Sequence, residues 1–280
     1  MRNIIFFARR ALLSQPLGMT VNILRKKVSA SARDGPSRSA SPLPIDQQYG
    51  IETGGLVQAS ALRTGSPSDL HSVGYGASVP SVIRRGIEAC PHIGGASFVD
   101  LGCGKGLPLV VASEYPFLRI VGVELSPSLC AIARSNAARI ATDYPSRTAI
   151  EVVEGDMTTA ELPSGYVVVF LYNPAYKPLI RKLAKRLAEH QAAGNKVMVV
   201  YYNPAGAQAF DDQPGFARYF AAHLALEPDE EAASELGNVA DSIVIWQGNS
   251  EPSYPSYPGA AAPVRLVAGG SAGQVEPAGS

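Results

Sequence analysis

Five short runs of apolar residues, rich in valine and isoleucine, constrain the fold of this chain more than any other sequence feature. They cover residues 98–101, 119–124, 149–153, 166–171 and 196–202. Near-continuous runs of this length are typical of strands that are buried on both faces, as in a parallel sheet. Helical patterns lie between most of them, at residues 107–113, 128–142 and 175–191. The alternation predicts a three-layer α/β domain with right-handed crossover connections.

Two further apolar runs, at residues 224–226 and 242–246, follow with no obvious helical pattern between them. We therefore expect a closing hairpin and seven strands in all. The regular pattern extends from residue 45 to residue 248, which predicts one domain over that range, with unlike segments on either side.

The charge balance narrows the classes of partner. The 280 residues carry 24 Lys and Arg against 24 Asp and Glu, so the formal net charge is zero. Domains that bind nucleic acid through bulk electrostatics are usually strongly basic, so we expect no strong nucleic-acid binding. The three cysteines, Cys90, Cys103 and Cys130, are too few and too scattered for a disulfide scaffold. No His, Cys and Asp cluster has the spacing of a metal site, so we predict no metal.

The two ends of the chain differ from its centre. Residues 1–44 hold eight Lys and Arg against a single acid, Asp34, and predict a basic extension that is partly helical or disordered. We expect a cytoplasmic protein. The alternatives for this extension are weak membrane or partner contact through residues 1–30, or a mitochondrial transit peptide in a eukaryotic source. Residues 249–280, rich in Pro, Gly and Ala, predict a disordered tail, whose Tyr-Pro repeats offer a recognition peptide as the alternative.

The strongest functional signal is the segment from Phe98 to Gly106, which reads F-V-D-L-G-C-G-K-G. A strand enters a glycine-rich loop and then a helix, where the backbone can approach a ligand and free N–H groups face it. A purely structural turn is the alternative. Asp100 stands where a dinucleotide-binding fingerprint has an apolar residue, and the G-x-G-x-G spacing fits a ligand without a pyrophosphate. We expect Cys103 to be a small buried filler and Lys105 to be solvated.

Acidic residues follow the next two strands. Glu124 ends the second run, 24 residues after Asp100, where a carboxylate can accept both hydroxyls of a ribose. After the third run, Asp156 can accept from an adenine amino group and Met157 can cover the ring. A solvated strand end is the alternative for Glu124. Together with the loop, these residues favour a nucleoside cofactor.

The ordered set D-L-G-C-G-K-G, G-V-E-L-S-P, E-G-D-M and F-L-Y-N-P resembles the class I S-adenosylmethionine-dependent methyltransferases over roughly residues 75–248. The resemblance implies a Rossmann-like, seven-stranded, mostly parallel sheet with an antiparallel last strand. It also implies S-adenosyl-L-methionine as the cofactor and methyl transfer to a nucleophile. By position it implies a set of cofactor-binding residues: Asp100, Gly102, Cys103, Gly104 and Gly106 near the methionine part, Glu124 and Leu125 at the ribose, Asp156 and Met157 at the adenine, and Asn173.

Residues 170–176, F-L-Y-N-P-A-Y, resemble the N-P-P-Y motif of amino-group methyltransferases, with Ala175 in place of the second proline. In this resemblance Asn173 and Tyr176 grip an amine and aim its lone pair at the methyl group. The departure at Ala175 favours a looser similarity to the Dot1-like lysine methyltransferases, in which Tyr75 would close over the cofactor. We therefore predict Asn173, Tyr176 and Tyr75 as catalytic residues and protein lysine as the favoured acceptor. The alternative for Asn173 is a helix N-cap.

Other features leave alternatives open. Residues 46–55, D-Q-Q-Y-G-I-E-T-G-G, predict an ordered lid on the substrate side, with a surface loop as the alternative. His71 is a candidate proton acceptor, although a lone histidine in a polar loop is more often structural. For the whole chain the alternatives are methylation of a small molecule or a nucleic-acid base, an NAD-dependent oxidoreductase, and a non-catalytic cofactor-binding scaffold. The oligomeric state is not predicted.

Overall fold

The computed structural model describes residues 43–233 and 240–248. The predicted tail and all but the last two residues of the predicted N-terminal extension lie outside the described residues. In the described part of the chain, no helix is long and apolar enough to cross a membrane.

One seven-stranded sheet forms the centre of the domain. The strands are, in chain order, β1 (Ala96–Leu101), β2 (Arg119–Glu124), β3 (Ile150–Glu154), β4 (Tyr166–Tyr172), β5 (Lys196–Tyr202), β6 (Phe216–Ala225) and β7 (Ala240–Gly248). Their order across the sheet is β3-β2-β1-β4-β5-β7-β6. The first five pair in parallel, and β7 is antiparallel to both of its neighbours. The predicted mostly parallel sheet with an antiparallel last strand is confirmed.

Helices cover both faces of this sheet. They are α1 (Pro44–Tyr49), α2 (Pro80–Glu88), α3 (Leu107–Ala112), α4 (Pro127–Asp143), α5 (Lys177–Ala192), α6 (Gln208–Asp211) and α7 (Pro228–Ala233). Alternate side chains of each central strand point to opposite faces, so the core has two halves. On β4, Phe170 belongs to the half that contains α2 and α3, whereas Val169 belongs to the half that contains α5 and α6. The predicted three-layer architecture is confirmed.

The last two strands differ in detail from the sequence prediction. Strand β6 begins at Phe216, eight residues before the predicted run, and bulges between Arg218 and Phe220. Most of its side chains are only half-buried, because it lies at the edge of the sheet, so its apolar signal is weak. Helix α7 lies between β6 and β7, so the expectation of a hairpin without a helix is wrong in this respect.

Candidate cofactor and acceptor site

The glycine loop, residues 102–106, turns sharply where β1 ends. Gly102 and Gly104 have φ values of 89° and 55°, in the left-handed region that favours glycine. The backbone N–H groups of Gly102 and Cys103 donate to the Val123 carbonyl at 2.8 and 3.0 Å, which joins the loop to β2. A Cβ atom at Gly104 would overlap the Tyr75 ring. The missing side chains therefore let a neighbouring group lie directly on the backbone.

Asp100 is the second-to-last residue of β1, and its carboxylate is buried. It is 2% exposed, and its Oδ2 atom has no hydrogen-bond partner among the described residues. Burial, followed by the negative charge of Glu124, raises the pKa of Asp100 well above its usual range. A buried oxygen without a partner is costly, and a cation placed beside it would remove that cost. Asp100 is therefore a fitting neighbour for a positively charged ligand group.

Glu124 ends β2 beside the same loop, as predicted. Its carboxylate accepts from the backbone N–H groups of Gly104 and Ser126, each at 2.9 Å. Burial raises the pKa of Glu124, and these hydrogen bonds act against that shift. A carboxylate has about four acceptor positions, so these bonds and a further one from the Leu125 N–H leave room for a ribose hydroxyl. The residue is buried, and the alternative of a solvated strand end is wrong.

The predicted adenine residues lie after β3. The Asp156 carboxylate accepts from the Ser68 hydroxyl at 2.5 Å and from the Thr158 N–H at 2.7 Å. Burial alone would raise the pKa of Asp156, but these hydrogen bonds outweigh it and the pKa is lowered. Met157 is buried in the core on the α5 side, and Leu125 is half-buried between β2 and α4. The contact of Asp156 and Met157 with adenine stays a prediction.

Residues 46–54, here called the strap, lie across the glycine loop. Buried Asp46 shapes the strap, because its carboxylate accepts from the Thr53 hydroxyl at 2.6 Å and from the Gly54 N–H at 3.0 Å. The Asn136 amide on α4 then donates to the Glu52 and Lys105 carbonyls, both at 2.9 Å. Asp46 and Thr53 are buried, and the role of this segment as a lid on the substrate side stays a prediction.

Lys105 joins the strap to the glycine loop. Its ammonium group donates to the Glu52 carboxylate at 2.8 Å and to the Gly54 carbonyl at 2.7 Å. The same group lies 5.6 Å from the centre of the Tyr75 ring. Only 6% of Lys105 is exposed, so the expectation that it is solvated is wrong. This burial was not predictable from local sequence, because the partners of Lys105 lie about fifty residues away along the chain.

Tyr75 lies between the strap and the loop, and the prediction that it covers the cofactor stays a prediction. Its hydroxyl donates to the Thr53 carbonyl at 2.5 Å, and its backbone pairs with Val57. Its ring lies against Gly104. Tyr75 therefore connects the strap to the glycine loop, and its catalytic role stays a prediction.

The acceptor segment after β4 is held in a strained conformation. Asn173 has a φ of 42°, uncommon outside glycine and often found at functional sites. Its Oδ1 atom accepts from the Ala205 N–H at 3.2 Å, which links the ends of β4 and β5. The first helical position after this segment follows Tyr176, so Asn173 is not the N-cap of α5. Tyr176 is 48% exposed, and its N–H donates to the His71 carbonyl at 2.8 Å.

Sequence reasoning missed a buried polar group beside this segment. Tyr172 and Tyr202 come from adjacent positions of β4 and β5, and their rings stack with centres 4.4 Å apart. The Tyr202 hydroxyl donates to the Asp241 carboxylate, which also accepts from the Asn203 amide at 2.9 Å. Strands β4 and β5 both end in tyrosine, but the predicted run at residues 166–171 stops one residue before Tyr172. The partner Asp241 depends on the reversed direction of β7.

The side chains around the loop fit the cofactor that the resemblance implies. An unpartnered buried carboxylate oxygen suits a cation, and the missing side chains of Gly102 and Gly104 let Pro174 and Tyr75 lie against the loop backbone. Asp100, Glu124 and the 102–106 backbone would hold its methionine and ribose parts. Among the described residues, no group of three or more His, Cys, Asp or Glu side chains could hold a metal ion.

The comparisons with known proteins concern the same part of the chain. Residues 98–194 match the family model described as a methyltransferase domain. The release factor glutamine methyltransferase of Mycolicibacterium smegmatis is 35% identical over 102 residues, 35% of this chain and 34% of that protein. The tRNA1(Val) (adenine(37)-N6)-methyltransferase of Shewanella amazonensis is 34% identical over 109 residues, 37% of this chain and 45% of that protein.

A third relative is the 4-amino-L-phenylalanine/4-methylamino-L-phenylalanine methyltransferase of Streptomyces pristinaespiralis. It is 34% identical over 118 residues, 41% of this chain and 35% of that protein. The chain therefore spans less than half the length of each of these relatives. Among solved structures, an RNA methyltransferase from Salinibacter ruber with bound S-adenosyl-L-homocysteine is 21% identical, with a TM-score of 0.40, over 63% of this chain and 97% of that one.

The match to the methyltransferase domain includes the glycine loop and the strands on both sides of it. It covers β1, the loop, β2, β3, β4 and α5, the elements that carry most of the predicted cofactor residues. It favours a methyltransferase over the alternative of an NAD-dependent oxidoreductase. The similarity to the Dot1-like enzymes is not tested by it and stays a prediction. Residues 98–194 are therefore similar to a methyltransferase domain, and S-adenosyl-L-methionine is the cofactor that this similarity implies.

Proposed function

We propose that this chain transfers the methyl group of S-adenosyl-L-methionine to an amine nitrogen, with a protein lysine as the favoured acceptor. The observation that carries the proposal is the buried, unpartnered oxygen of Asp100 beside the backbone of the glycine loop. That combination offers a counter-ion and close backbone contact at one place. It lies within the segment that matches the methyltransferase domain.

The chemistry needs positioning more than a strong base. When bound, the cofactor supplies a sulfonium methyl group: the amine lone pair forms the N–C bond, the S–C electron pair stays on sulfur, and the extra proton on nitrogen is lost to solvent. The Asp100 carboxylate holds positive charge, and Glu124 orients the ribose. Tyr75 and the strap exclude water from above, while Asn173 presents a carbonyl oxygen toward the acceptor. Such positioning lowers the barrier because the reacting groups meet in a fixed geometry.

An amine acceptor is supported by the segment after β4. The Asn173 side-chain oxygen makes one bond, to the Ala205 N–H, and retains a second lone pair for an amine hydrogen. The names of the three relatives point to related acceptors: glutamine, adenine N6 and 4-amino-L-phenylalanine. Each of these carries an amide or amine nitrogen. Protein lysine rests on the looser resemblance and is the finer part of the proposal.

A nucleic-acid base is the second candidate acceptor. Helix α5 begins directly after the acceptor segment and exposes Lys177, Arg181 and Lys185 at a spacing of four residues. Side chains at that spacing lie on one face of a helix and could contact phosphates. One relative is named as a tRNA methyltransferase. The neutral charge of the whole chain argues against it, so it takes second place.

The test uses purified protein and S-adenosylmethionine labelled in its methyl group. Calorimetry first measures S-adenosylhomocysteine binding, and the labelled cofactor is then incubated with lysate fractions of protein, nucleic acid and small molecules. Asp100→Asn should weaken binding by about 10- to 100-fold, the cost of losing a charged hydrogen bond. The control Asp143→Asn removes a surface charge at the end of α4 and should change nothing.

Label in lysine side chains would support the full proposal. Label in nucleic acid would replace the favoured acceptor by the second candidate. Absence of S-adenosylhomocysteine binding by the wild-type protein would overturn the proposed function as a whole. Binding without label in any fraction would favour the non-catalytic scaffold instead.

A further inference from the structure

Helix α5 presents a row of positive charge that begins where the acceptor segment ends. The inner side of the helix is buried against the sheet through Ile180, Leu183, Ala184 and Leu187. On its outer side Lys177, Arg181 and Lys185, here called the basic row, are exposed. Their spacing of four residues places them on one face of the helix. At a rise of about 1.5 Å per residue the row is about 12 Å long.

The charges at the start of the basic row are not matched within the described part of the chain. Lys185, at the far end, lies 3.6 Å from the Glu189 carboxylate one turn later. Among the described residues, neither Lys177 nor Arg181 forms an ion pair. The start of the row therefore attracts anions, whereas its far end is partly neutralised.

An exposed apolar side chain lies beside the start of the row. Leu70 is 81% exposed and belongs to a short 3₁₀ helix, Pro67–His71, that packs against α5. The His71 carbonyl accepts from the N–H of Tyr176, whose side chain is also exposed. Leu70, Tyr176 and the basic row together are here called the docking face. Exposed apolar side chains that lie together, with charged residues around them, are typical of interaction surfaces.

The composition of the docking face suits an acidic protein segment better than a nucleic acid. The basic row is short and ends beside Glu189, so a phosphate backbone that continued along α5 would meet a negative charge. Leu70 offers no ring on which a base could stack, but it can contact an apolar side chain of a peptide. The formal net charge of zero gives the chain no general attraction for polyanions.

We infer that the docking face binds an acidic segment of the acceptor protein, next to the residue that is methylated. The inference rests on the proposed function. Because Lys177 lies four residues beyond Asn173, a protein that presents a side chain to Asn173 passes over this surface. Its Asp or Glu side chains would pair with Lys177 and Arg181, and an apolar residue among them would contact Leu70. These contacts lie outside the reacting groups, so they select the acceptor protein and leave the chemistry unchanged.

The experiment measures binding of a defined peptide to the full chain, independently of turnover. Fluorescence anisotropy follows a short labelled peptide of glutamate and leucine. The controls are the same peptide with glutamine in place of glutamate, the same peptide with lysine, and a single-stranded RNA of equal length. We expect saturable binding of the glutamate peptide that weakens as salt is added. The glutamine peptide should bind at least about fivefold more weakly, the lysine peptide should not bind, and RNA should bind more weakly than the glutamate peptide.

Variants locate the peptide on the surface. Lys177→Gln combined with Arg181→Gln should weaken binding of the glutamate peptide about 3- to 20-fold, the effect of two exposed ion pairs. Leu70→Ser should weaken it about twofold to tenfold, because the apolar contact is lost. The matched control is Arg134→Gln combined with Arg139→Gln, which removes the same charge from exposed positions of α4 on the opposite face of the sheet. It should leave the affinity within about twofold.

The outcomes separate the docking face from the proposed function. Absence of glutamate-peptide binding, equal binding of the glutamine peptide, or an equal loss in the control variant would overturn the inference. Tighter binding of RNA that is lost in the variant of Lys177 and Arg181 would assign the face to nucleic acid and also overturn it. S-adenosylhomocysteine binding should be the same in all variants, since none of the changed residues belongs to the glycine loop. Peptide binding by a protein that does not bind S-adenosylhomocysteine would retain the docking face and overturn only the proposed function.

Discussion

Lys105→Met tests whether the strap depends on a single buried ammonium group. Methionine keeps most of the aliphatic length, so the packing around the side chain changes little. The substitution removes the bond to the Gly54 carbonyl at 2.7 Å, the ion pair with Glu52 and the contact with the Tyr75 ring. The Gly54 carbonyl is then left without its charged partner.

The three lost contacts differ in weight. A hydrogen bond from a charged donor contributes about 1.5–3 kcal/mol. The Glu52 side chain is 70% exposed, so its ion pair contributes less than about 1 kcal/mol. The aromatic contact adds about 0.5–1 kcal/mol, and release of the ammonium from its buried position offsets part of the total. We therefore expect a loss of about 2–3 kcal/mol in the free energy of unfolding.

Urea and thermal unfolding measure this loss. For a domain of this size, 2–3 kcal/mol corresponds to a fall in Tm of about 4–12 °C. Glu52→Gln, which removes only the exposed partner, should cost less than about 1 kcal/mol. The control Lys185→Met removes a surface lysine 74% exposed and 3.6 Å from Glu189, and should change stability by less than about 0.5 kcal/mol.

The reasoning is refuted if Lys105→Met unfolds within 0.5 kcal/mol of the wild type. That result would mean that the strap is held by Asp46 and Asn136 alone. An equally large loss for Glu52→Gln would also contradict it, because the ion pair and not the carbonyl contact would then dominate.

Three further predictions concern the site and the core. Because burial raises the pKa of Asp100, its carboxylate should ionise at a higher pH than usual. The affinity for S-adenosylmethionine should therefore rise with pH and fall as the pH drops through that pKa. Calorimetry should find no such rise for Asp100→Asn. Gly104→Ala, at φ 55° and against the Tyr75 ring, should abolish S-adenosylhomocysteine binding in the same assay. Asp211→Ala should cost about 1.5–3 kcal/mol in urea unfolding, because it leaves the half-buried Arg218 without its charged partner at 2.5 Å; a loss below about 1 kcal/mol would contradict this.

The sheet and the cofactor loop were predictable because their signals are local. A strand buried on both faces must be apolar along its whole length, and such runs located β1 to β5 within a few residues. The turn of the glycine loop needs positive φ values at residues 102 and 104, and glycine at these positions indicates such a turn in the sequence. Pattern and geometry agree there because neighbouring residues decide both.

The contacts around that loop were not predictable, because distant residues decide them. Lys105 is buried only because the strap, some fifty residues earlier, provides a carbonyl and a carboxylate. Asn203 repeats the Asn-Pro-Ala sequence of the acceptor segment, yet its side chain bonds to Asp241 and joins β5 to β7. The same three letters thus lie in two environments, which the sequence alone could not distinguish.

The strap also carries a built-in set of reporters for hydrogen exchange. The backbone amide hydrogens of Glu52, Thr53 and Gly54 donate to side chains of Asn136 and Asp46 rather than to a helix or a strand. Their exchange with solvent deuterium therefore requires the strap to detach, but not the sheet to unfold. Asn136 lies 84 residues beyond Glu52, so this hydrogen bond joins parts of the chain that are far apart in sequence. Exchange rates at these three amides would measure directly how often the strap detaches from the glycine loop.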